Sequence, residues 1–463
     1  MRKKPDSIIG MTKSDFDQIV SKTKEIELRP ARLIPLMKPG DEMALTSIFL
    51  SSLRLIKEFR KNILNAVSLT SSGIIYVYTE IKFSKFKENR VDGLIIVVKG
   101  GKINDAALLE MKSKSDELIV DQIKKYLTIA EDYKIPKLIT VSNQFVSVPT
   151  QSPIHIKPPK NVVLYHLSWS YILTIARILL FENDKDIKDE DQVDIMREVV
   201  SYLEHNDSGV CGFSQMKPGW KNVVIKINDG ENLKTDDKDV GDTVVSWLQE
   251  ERDMALILSR RLGLLVRSGE SKYRNNLPAR LENDTENLVN NKKLISTLRV
   301  EGAVSNIVVN ANFDRKNIEM SVVLNTPQDR KTRGQLGWLK GQFKNCEFRN
   351  KDLLNLLKNE LRIEVALKYS STPERLLIDD LLIDDLNEVV DKIKDKEIKE
   401  FRIIQIKDLG KKFESRKEFV QKIESMLLAY YEGIVQHLKK WEKPAPKMPP
   451  KTNADSSSIE TNE

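Results

Sequence analysis

Arg90-Val91-Asp92-Gly93-Leu94-Ile95-Ile96-Val97-Val98, followed across Lys99-Gly100-Gly101-Lys102 by Ala107-Leu108-Leu109-Glu110-Met111-Lys112, decides the fold of this chain. Residues 91–98 and 106–112 are short apolar runs, and the glycine pair between them signals a turn, so two strands are predicted. On a strand, Glu110 and Lys112 share one face while Leu109 and Met111 take the other. A carboxylate and an ammonium therefore stand inside an otherwise apolar strand, and Asp92 stands likewise just inside its own. Charges so placed are costly unless they are paired or bind a metal.

Working outward, Leu45, Ile48, Leu50, Leu53, Ile56, Phe59 and Ile63 recur at helical spacing and predict one amphipathic helix over 42–66. Residues 73–83 are β-branched and aromatic and predict a strand. Downstream, Ser115 caps a helix over 116–133. Strands follow at 137–142 and 162–166, separated by a loop holding Pro149, Pro153, Pro158 and Pro159. Helix, strands, helix, strand, strand, helix describes an α/β domain over 31–180, preceded by a polar arm at 1–30. Residues 181–285 read as a mostly helical connector, with turn-rich stretches near 205–219 and 227–241. Residues 286–442 read as a C-terminal α+β domain. Within it, two antiparallel strands span 297–324 around the Asn312–Asn317 turn, and a basic loop and helix span 326–345. Helices at 351–361 and 373–395, a strand at 401–407 and a long helix at 415–442 complete it. The Pro-, Ser- and Lys-rich residues 443–463 predict a disordered tail.

The residue types at the centre suit one chemistry. Two convergent carboxylates bind Mg²⁺ or Mn²⁺, which prefers oxygen ligands and keeps several waters. The metal acidifies a bound water and neutralises charge on a scissile phosphate, while a lysine positions that water or stabilises the phosphate. Gln122 and Tyr126 lie one turn apart on one helix face and reach the same site. Convergence sets a condition on register. A two-residue hairpin at Gly100-Gly101 sends Asp92 and Glu110 to opposite faces, so a three-, five- or seven-residue connection, or a bulge, is required.

This ordered set resembles the PD-(D/E)XK nuclease superfamily, and Gln122-Ile123-Lys124-Lys125-Tyr126 is similar to the helix motif of its RecB-like branch. The resemblance covers roughly residues 40–180. It implies a restriction-endonuclease-like core, a mixed sheet flanked by helices, followed by the helical segment and the C-terminal α+β region. It implies Asp92 and Glu110 as metal ligands, Lys112 as the catalytic lysine, and Gln122 and Tyr126 as organisers of substrate or lysine. Glu42 would be the additional acidic residue, although compensation of helix N-terminal charge is its weightier ordinary role. Val91 replaces the proline of the family's name, no histidine precedes His155, and the cysteines of the iron–sulfur subgroup are missing. The implied activity is a Mg²⁺- or Mn²⁺-dependent deoxyribonuclease of restriction, repair or defence. The rival is a non-catalytic nucleic-acid- or partner-binding protein on the same core.

Other signals are weaker. Glu80-Ile81-Lys82 and Glu397-Ile398-Lys399 also match Glu-x-Lys, but the first precedes Asp92 and the second lies in a solvated charged stretch. Asn143 and Gln144 start a polar loop beside the expected cleft, and His166 and Trp169 flank the last core strand. Arg330, Lys331, Arg333, Trp338 and Lys340 interleave basic, glycine and aromatic residues, a pattern suited to nucleic acid or, equally, to a solvated loop with Trp338 in the core. The stripe Phe419, Ile423, Leu427, Ile434 marks a packing or homodimerisation helix. The four histidines have no metal-site spacing, and neither a Walker loop nor a nucleophile elbow occurs. The net charge of +7 permits a polyanionic partner such as DNA without demanding one. Two cysteines exclude a disulfide framework and suit a reducing cytoplasm. No apolar targeting region follows the basic start, and the most apolar run, 171–181, contains Arg177, so no membrane partner is expected.

Overall fold

A computed structural model describes residues 41–442 except 87, 115, 147, 182–186, 274–275, 384 and 394–395. The predicted arm, the tail and the Ser115 cap lie outside the described residues. The first helix, α1 (Glu42–Leu55), starts where the Asp41 side chain accepts from the Met43 amide at 2.9 Å. It does not run on to residue 66. Ile56 turns extended, at φ −109° and ψ 107°, and α2 (Lys57–Ala66) begins afresh. No proline or glycine marks the break, so the apolar periodicity reads straight through it. Ile56 itself is fully buried there.

Strands β1 (Ile74–Lys82), β2 (Arg90–Lys99) and β3 (Lys102–Met111) are antiparallel neighbours. Helix α3 (Val120–Asp132) then crosses over to β4 (Lys137–Ser142), and β5 (Val163–Ser168) completes a mixed sheet in the order β1-β2-β3-β4-β5. The last three strands run parallel. Helix α3 starts at Val120, later than the predicted 116, and Ile119 precedes it without a side-chain cap. Helices α4 (Trp169–Phe181) and α5 (Glu190–Leu203) follow.

The sheet is the middle of three layers. Ile95, Val97, Ala107, Leu109, Met111, Ile139, Val141 and Leu167 face α1, α2, α4 and α5. Leu108, Leu138 and Leu164 face α3 on the other side. Residues Ala106 to Met111 are all buried, because β3 is central and covered on both faces.

Residues 181–285 divide between two cores. Helix α5 packs into the first, whereas α6 (Pro218–Asn228) and α7 (Lys238–Leu262) place Trp220 and Trp247 in a second. That second core backs a seven-stranded antiparallel sheet. Its elements are β6 (Arg267–Ser268), α8 (Leu277–Asn291), β7 (Lys293–Arg299), β8 (Ile307–Asn312) and β9 (Asn317–Asn325). There follow α9 (Thr332–Arg349), α10 (Lys351–Leu357), β10 (Leu361–Leu367), β11 (Glu374–Leu376), α11 (Ile378–Leu382) and α12 (Asn387–Ile393). Strand β12 (Ile398–Asp408) and helix α13 (Arg416–Gly433) close the set, and the strand order is β11-β10-β12-β9-β8-β7-β6.

Several predicted bounds are corrected here. The two strands of 297–324 are three, since β7 starts at Lys293. The helix of 351–361 stops at Leu357 and gives way to β10, whose alternating Leu361, Ile363, Val365 and Leu367 enter the core. The helix of 373–395 is a short strand and two short helices. The long helix ends at Gly433, and its Phe419, Ile423, Leu427 and the following Ile434 pack into this chain's own core, which uses up the proposed dimerisation stripe.

The two cores are joined by polar contacts between α4 and α7. The Ser170 hydroxyl donates to Asp253 at 3.0 Å, and Arg260 donates to Ser170 and Thr174 at 3.0 and 2.9 Å. Among the described residues no helix is long and apolar enough to cross a membrane.

Gly93 shows how closely the layers meet. A Cβ built there would lie 3.1 Å from the Leu109 Cβ and 3.2 Å from the Leu50 Cδ1, between β3 and α1. Gly93→Val is therefore expected to destabilise the fold by about 1–3 kcal/mol through overpacking. Urea denaturation reads this, and an unchanged midpoint would mean that the layers are looser than described.

Candidate active site

The Gly100-Gly101 turn is the tight two-residue kind, with φ +59° and +73°, as a right-twisted hairpin demands. Lys99 pairs with Lys102 and Val98 with Ile103, but Val97 pairs with Asp105. Asn104 is thus the extra residue of a bulge. From there the register runs through Leu94 opposite Leu108 and Gly93 opposite Leu109. One step further, Asp92 stands opposite Glu110 on the α3 face. The alternative of a bulge, required for convergence, is the one the chain uses.

A polar row extends from this pair. Glu110 is beside Thr140 on β4, and Thr140 is beside His166 on β5. At the other end Glu80 stands across from Asp92, between the pairs Thr79–Gly93 and Ile81–Val91. Glu80 has φ +60°, a strained value for a residue with a side chain, and its carboxylate meets Arg90 Nη1 at 2.6 Å. Sequence reasoning set Glu80 aside because it precedes Asp92, and nothing in the spacing signals its pairing with Arg90.

Lys112 follows β3, and its amide still donates to the Val141 carbonyl at 2.8 Å. Its Nζ lies 2.7 Å from Glu110 Oε1 and 3.2 Å from Glu42 Oε1, so Glu42 joins the cluster through the lysine. Trp169 Nε1 donates to the Lys112 carbonyl at 2.8 Å and fixes the backbone below the side chain. Asp92 Oδ2 accepts from the Met111 amide at 2.7 Å. Gln122 donates to the Tyr126 hydroxyl at 3.0 Å, and that hydroxyl donates to the Arg90 carbonyl at 2.6 Å. The helix pair is thereby tied to the start of β2, next to Asp92.

Electrostatics follow from burial. The Glu110 side chain is 0% exposed, and neither carboxylate oxygen has a hydrogen-bond donor of good geometry, the lysine being an ion-pair partner only. Burial first, and then the Asp92 charge, push the Glu110 carboxyl up to about 8 against the pull of Lys112. Burial opposes the Lys112 charge too, but Glu110, Glu42 and Asp92 outweigh it and hold the ammonium above its ordinary value. Glu42 is raised by burial, with Lys112 opposing, and Tyr126 is pushed by burial up to about 12.

Among the described residues no three His, Cys, Asp or Glu side chains are gathered into a ready ligand set. Mg²⁺ usually takes one or two carboxylates and fills its shell with water, so Glu110, whose Oε1 is paired with Lys112, and the second oxygen of Asp92 fit such an ion. Glu42, expected as a third ligand, is engaged with Lys112 instead.

The basic segment is elsewhere. Lys331 precedes α9 and Arg330 precedes it in turn, both exposed. Arg333 lies 3.8 Å from Asp385, Lys340 donates to the Ile383 carbonyl, and Trp338 packs partly buried on the second core. These residues belong to the helical layer of the second sheet and not to the face that carries Asp92. Compared with family models and with curated proteins, the chain matches none.

His166 closes the row as a core residue. Its Nε2–H donates to the Gln144 carbonyl at 2.9 Å, since a carbonyl can only accept, and its Nδ1 lies 2.9 Å from the Thr140 hydroxyl, which also donates to the Tyr165 carbonyl at 3.0 Å. Burial pushes this imidazole down to about 4. The folded value lies below the ordinary 6.5, so the stability it carries is present above pH 6.5 and lost as pH falls towards 4. The loss is of order ~3 kcal/mol. His166→Gln should flatten that part of the profile in urea melts between these pH values, and an unaltered slope would refute a neutral buried imidazole.

Proposed function

We propose that the chain is a metal-dependent nuclease that hydrolyses phosphodiester bonds of DNA, on a core of the restriction-endonuclease-like kind. The observation that carries this is the facing pair Asp92 and Glu110, with Lys112 2.7 Å from Glu110. A helix, an antiparallel β1-β2-β3 unit and a β3-α3-β4 crossover present all three at one end of the sheet. That arrangement agrees with the PD-(D/E)XK resemblance.

Asp92 and Glu110 would hold Mg²⁺ or Mn²⁺. Such an ion supplies a Lewis acid to the phosphate and an acidified water as nucleophile. Lys112 keeps its proton in this setting, so it acts as a cation and hydrogen-bond donor towards the attacking water or a phosphate oxygen. Glu42 holds the same ammonium at 3.2 Å. Tyr126 and Gln122 are positioning residues: they clamp the Arg90 carbonyl and with it the entry of β2. Asp92, Glu110 and Glu42 together outnumber the Lys112 ammonium, and that excess of acidic groups disfavours a phosphate unless it is offset.

Purified protein with supercoiled plasmid and linear DNA in Mg²⁺, Mn²⁺ or EDTA tests this. Wild type should nick or degrade DNA only with metal. Asp92→Ala and Glu110→Ala should abolish cutting, and Lys112→Ala should slow it by about 100-fold or more, the scale of losing one transition-state donor. Equal cutting by every variant, or none by wild type in either metal, overturns the reading.

A further inference from the structure

A cleft of about 760 Å³ opens just past the C-terminal ends of β3 and β4. Its inner wall carries Lys114, two residues beyond Lys112, with Asp116, Asn143 and Gln144; its outer wall is segment 206–215, which carries Asp207 and Phe213. The outer wall is pinned. Asn143 Nδ2 donates to the carbonyls of Lys114 and Gly209 at 2.8 and 2.7 Å, and its Oδ1 accepts from the Cys211 amide at 2.9 Å. The Lys114 amide also donates to Gly209 at 2.8 Å, and the Phe213 amide to Asp253 at 2.6 Å. Gly209 has φ +83°, and a Cβ there would sit 3.1–3.3 Å from Ser113 and Lys114. The cleft is therefore preformed by close backbone contact and tied to the second core through Asp253.

Its chemistry differs from that of a backbone groove. Asp116, Glu117 and Asp207 outnumber the single ammonium of Lys114, so a row of phosphates is repelled. The amides of Gln144, Asn206 and Gln215 offer donors and acceptors, the carboxylates accept from amino groups, and Phe213 offers an apolar surface. That is the complement of a nucleobase, flat and edged with ring acceptors and exocyclic amines. The volume is in the range of ligand sites for molecules of that size. A base inside a duplex is stacked and shows this edge only to its partner, so only an unpaired base can enter.

We propose that this cleft binds an unpaired nucleobase of the strand being cut, making single-stranded or unpaired DNA the substrate class. This rests on the nuclease reading of the adjoining site. The experiment uses the chain's own cysteines: Cys211 is exposed on the cleft wall and Cys346, the only other one in the sequence, is buried. Alkylation of Cys211 by a fluorescent maleimide is timed in EDTA with a short mixed-sequence single strand, its blunt duplex or a lysine-rich peptide. Single strand should slow alkylation about tenfold, the occupancy effect of roughly 1.4 kcal/mol, and the duplex and peptide should not. Gln144→Ala should weaken that protection. Equal protection by single strand and duplex, protection by the peptide alone, or no protection overturns the proposal. Plasmid cutting in Mg²⁺ is run alongside. Cutting without protection removes the cleft assignment and leaves the nuclease; neither cutting nor protection removes both.

Discussion

With Lys99 opposite Lys102, the tight turn at Gly100-Gly101 starts the β2–β3 hairpin in a register that would place Asp92 and Glu110 on opposite faces of the sheet. Asn104 alone reverses this. Because side chains alternate with a period of two, one unpaired residue moves everything beyond it to the other face. The same shift that brings Asp92 opposite Glu110 also sends Leu94 and Leu108 to the α3 face and Ile95, Ala107 and Leu109 to the α1–α2 face. The apolar residues on both sides therefore enforce the register that the two carboxylates need. A slip would bury Asp92 and Glu110 in the larger core, so the site and the core stand or fall together.

Burying Glu110 needs an explanation. A carboxylate with 0% exposure and a like charge opposite is expensive, and its contact with Lys112 at 2.7 Å does not restore the loss. As a purely structural device the pair is poor, since apolar residues of similar volume at such places are commonly neutral or better. On the proposed nuclease reading, a divalent cation held by Asp92 and Glu110 would offset that cost. Elsewhere in the same sheet the nearly buried charges Asp105 and Lys137 satisfy each other at 2.7 and 2.9 Å, whereas Glu110 also faces the like charge of Asp92.

The α/β class, the strands of the first sheet and the set Asp92, Glu110, Lys112, Gln122 and Tyr126 were legible because apolar periodicity and charge placement are local signals. What escaped was not local. Ile56 breaks the first helix without a breaker residue. Glu80 reaches Arg90 only through the β1–β2 pairing. The β10 stretch Leu361–Leu367 follows a helical segment directly, and its alternation of Arg362 and Glu364 with Leu361, Ile363 and Val365 falls in the interval left unassigned between the helices expected at 351–361 and 373–395. Its identity as a strand comes from the neighbours Phe401, Ile403 and Gln405 of β12, some forty residues away. Segment 206–215 lies in the turn-rich stretch read near 205–219, but its place beside Lys114 depends on three hydrogen bonds made by the Asn143 side chain that no spacing reveals.

The two cores also divide labour in a way that neither has alone. Asp253, buried on α7 of the second core, accepts from Ser170 at the start of α4 and from the amide of Phe213 in the cleft wall. A Cβ at Gly212 would come within 2.8 Å of the same carboxylate, so the wall passes as close to α7 as a backbone can. Arg260 completes the junction through Ser170 and Thr174. The helix that carries Trp169, and through Trp169 the backbone of Lys112, is thus held by the same residue that holds the cleft wall. A shift of α7 relative to the first sheet would therefore disturb both the cleft wall at Phe213 and the start of the helix behind Lys112.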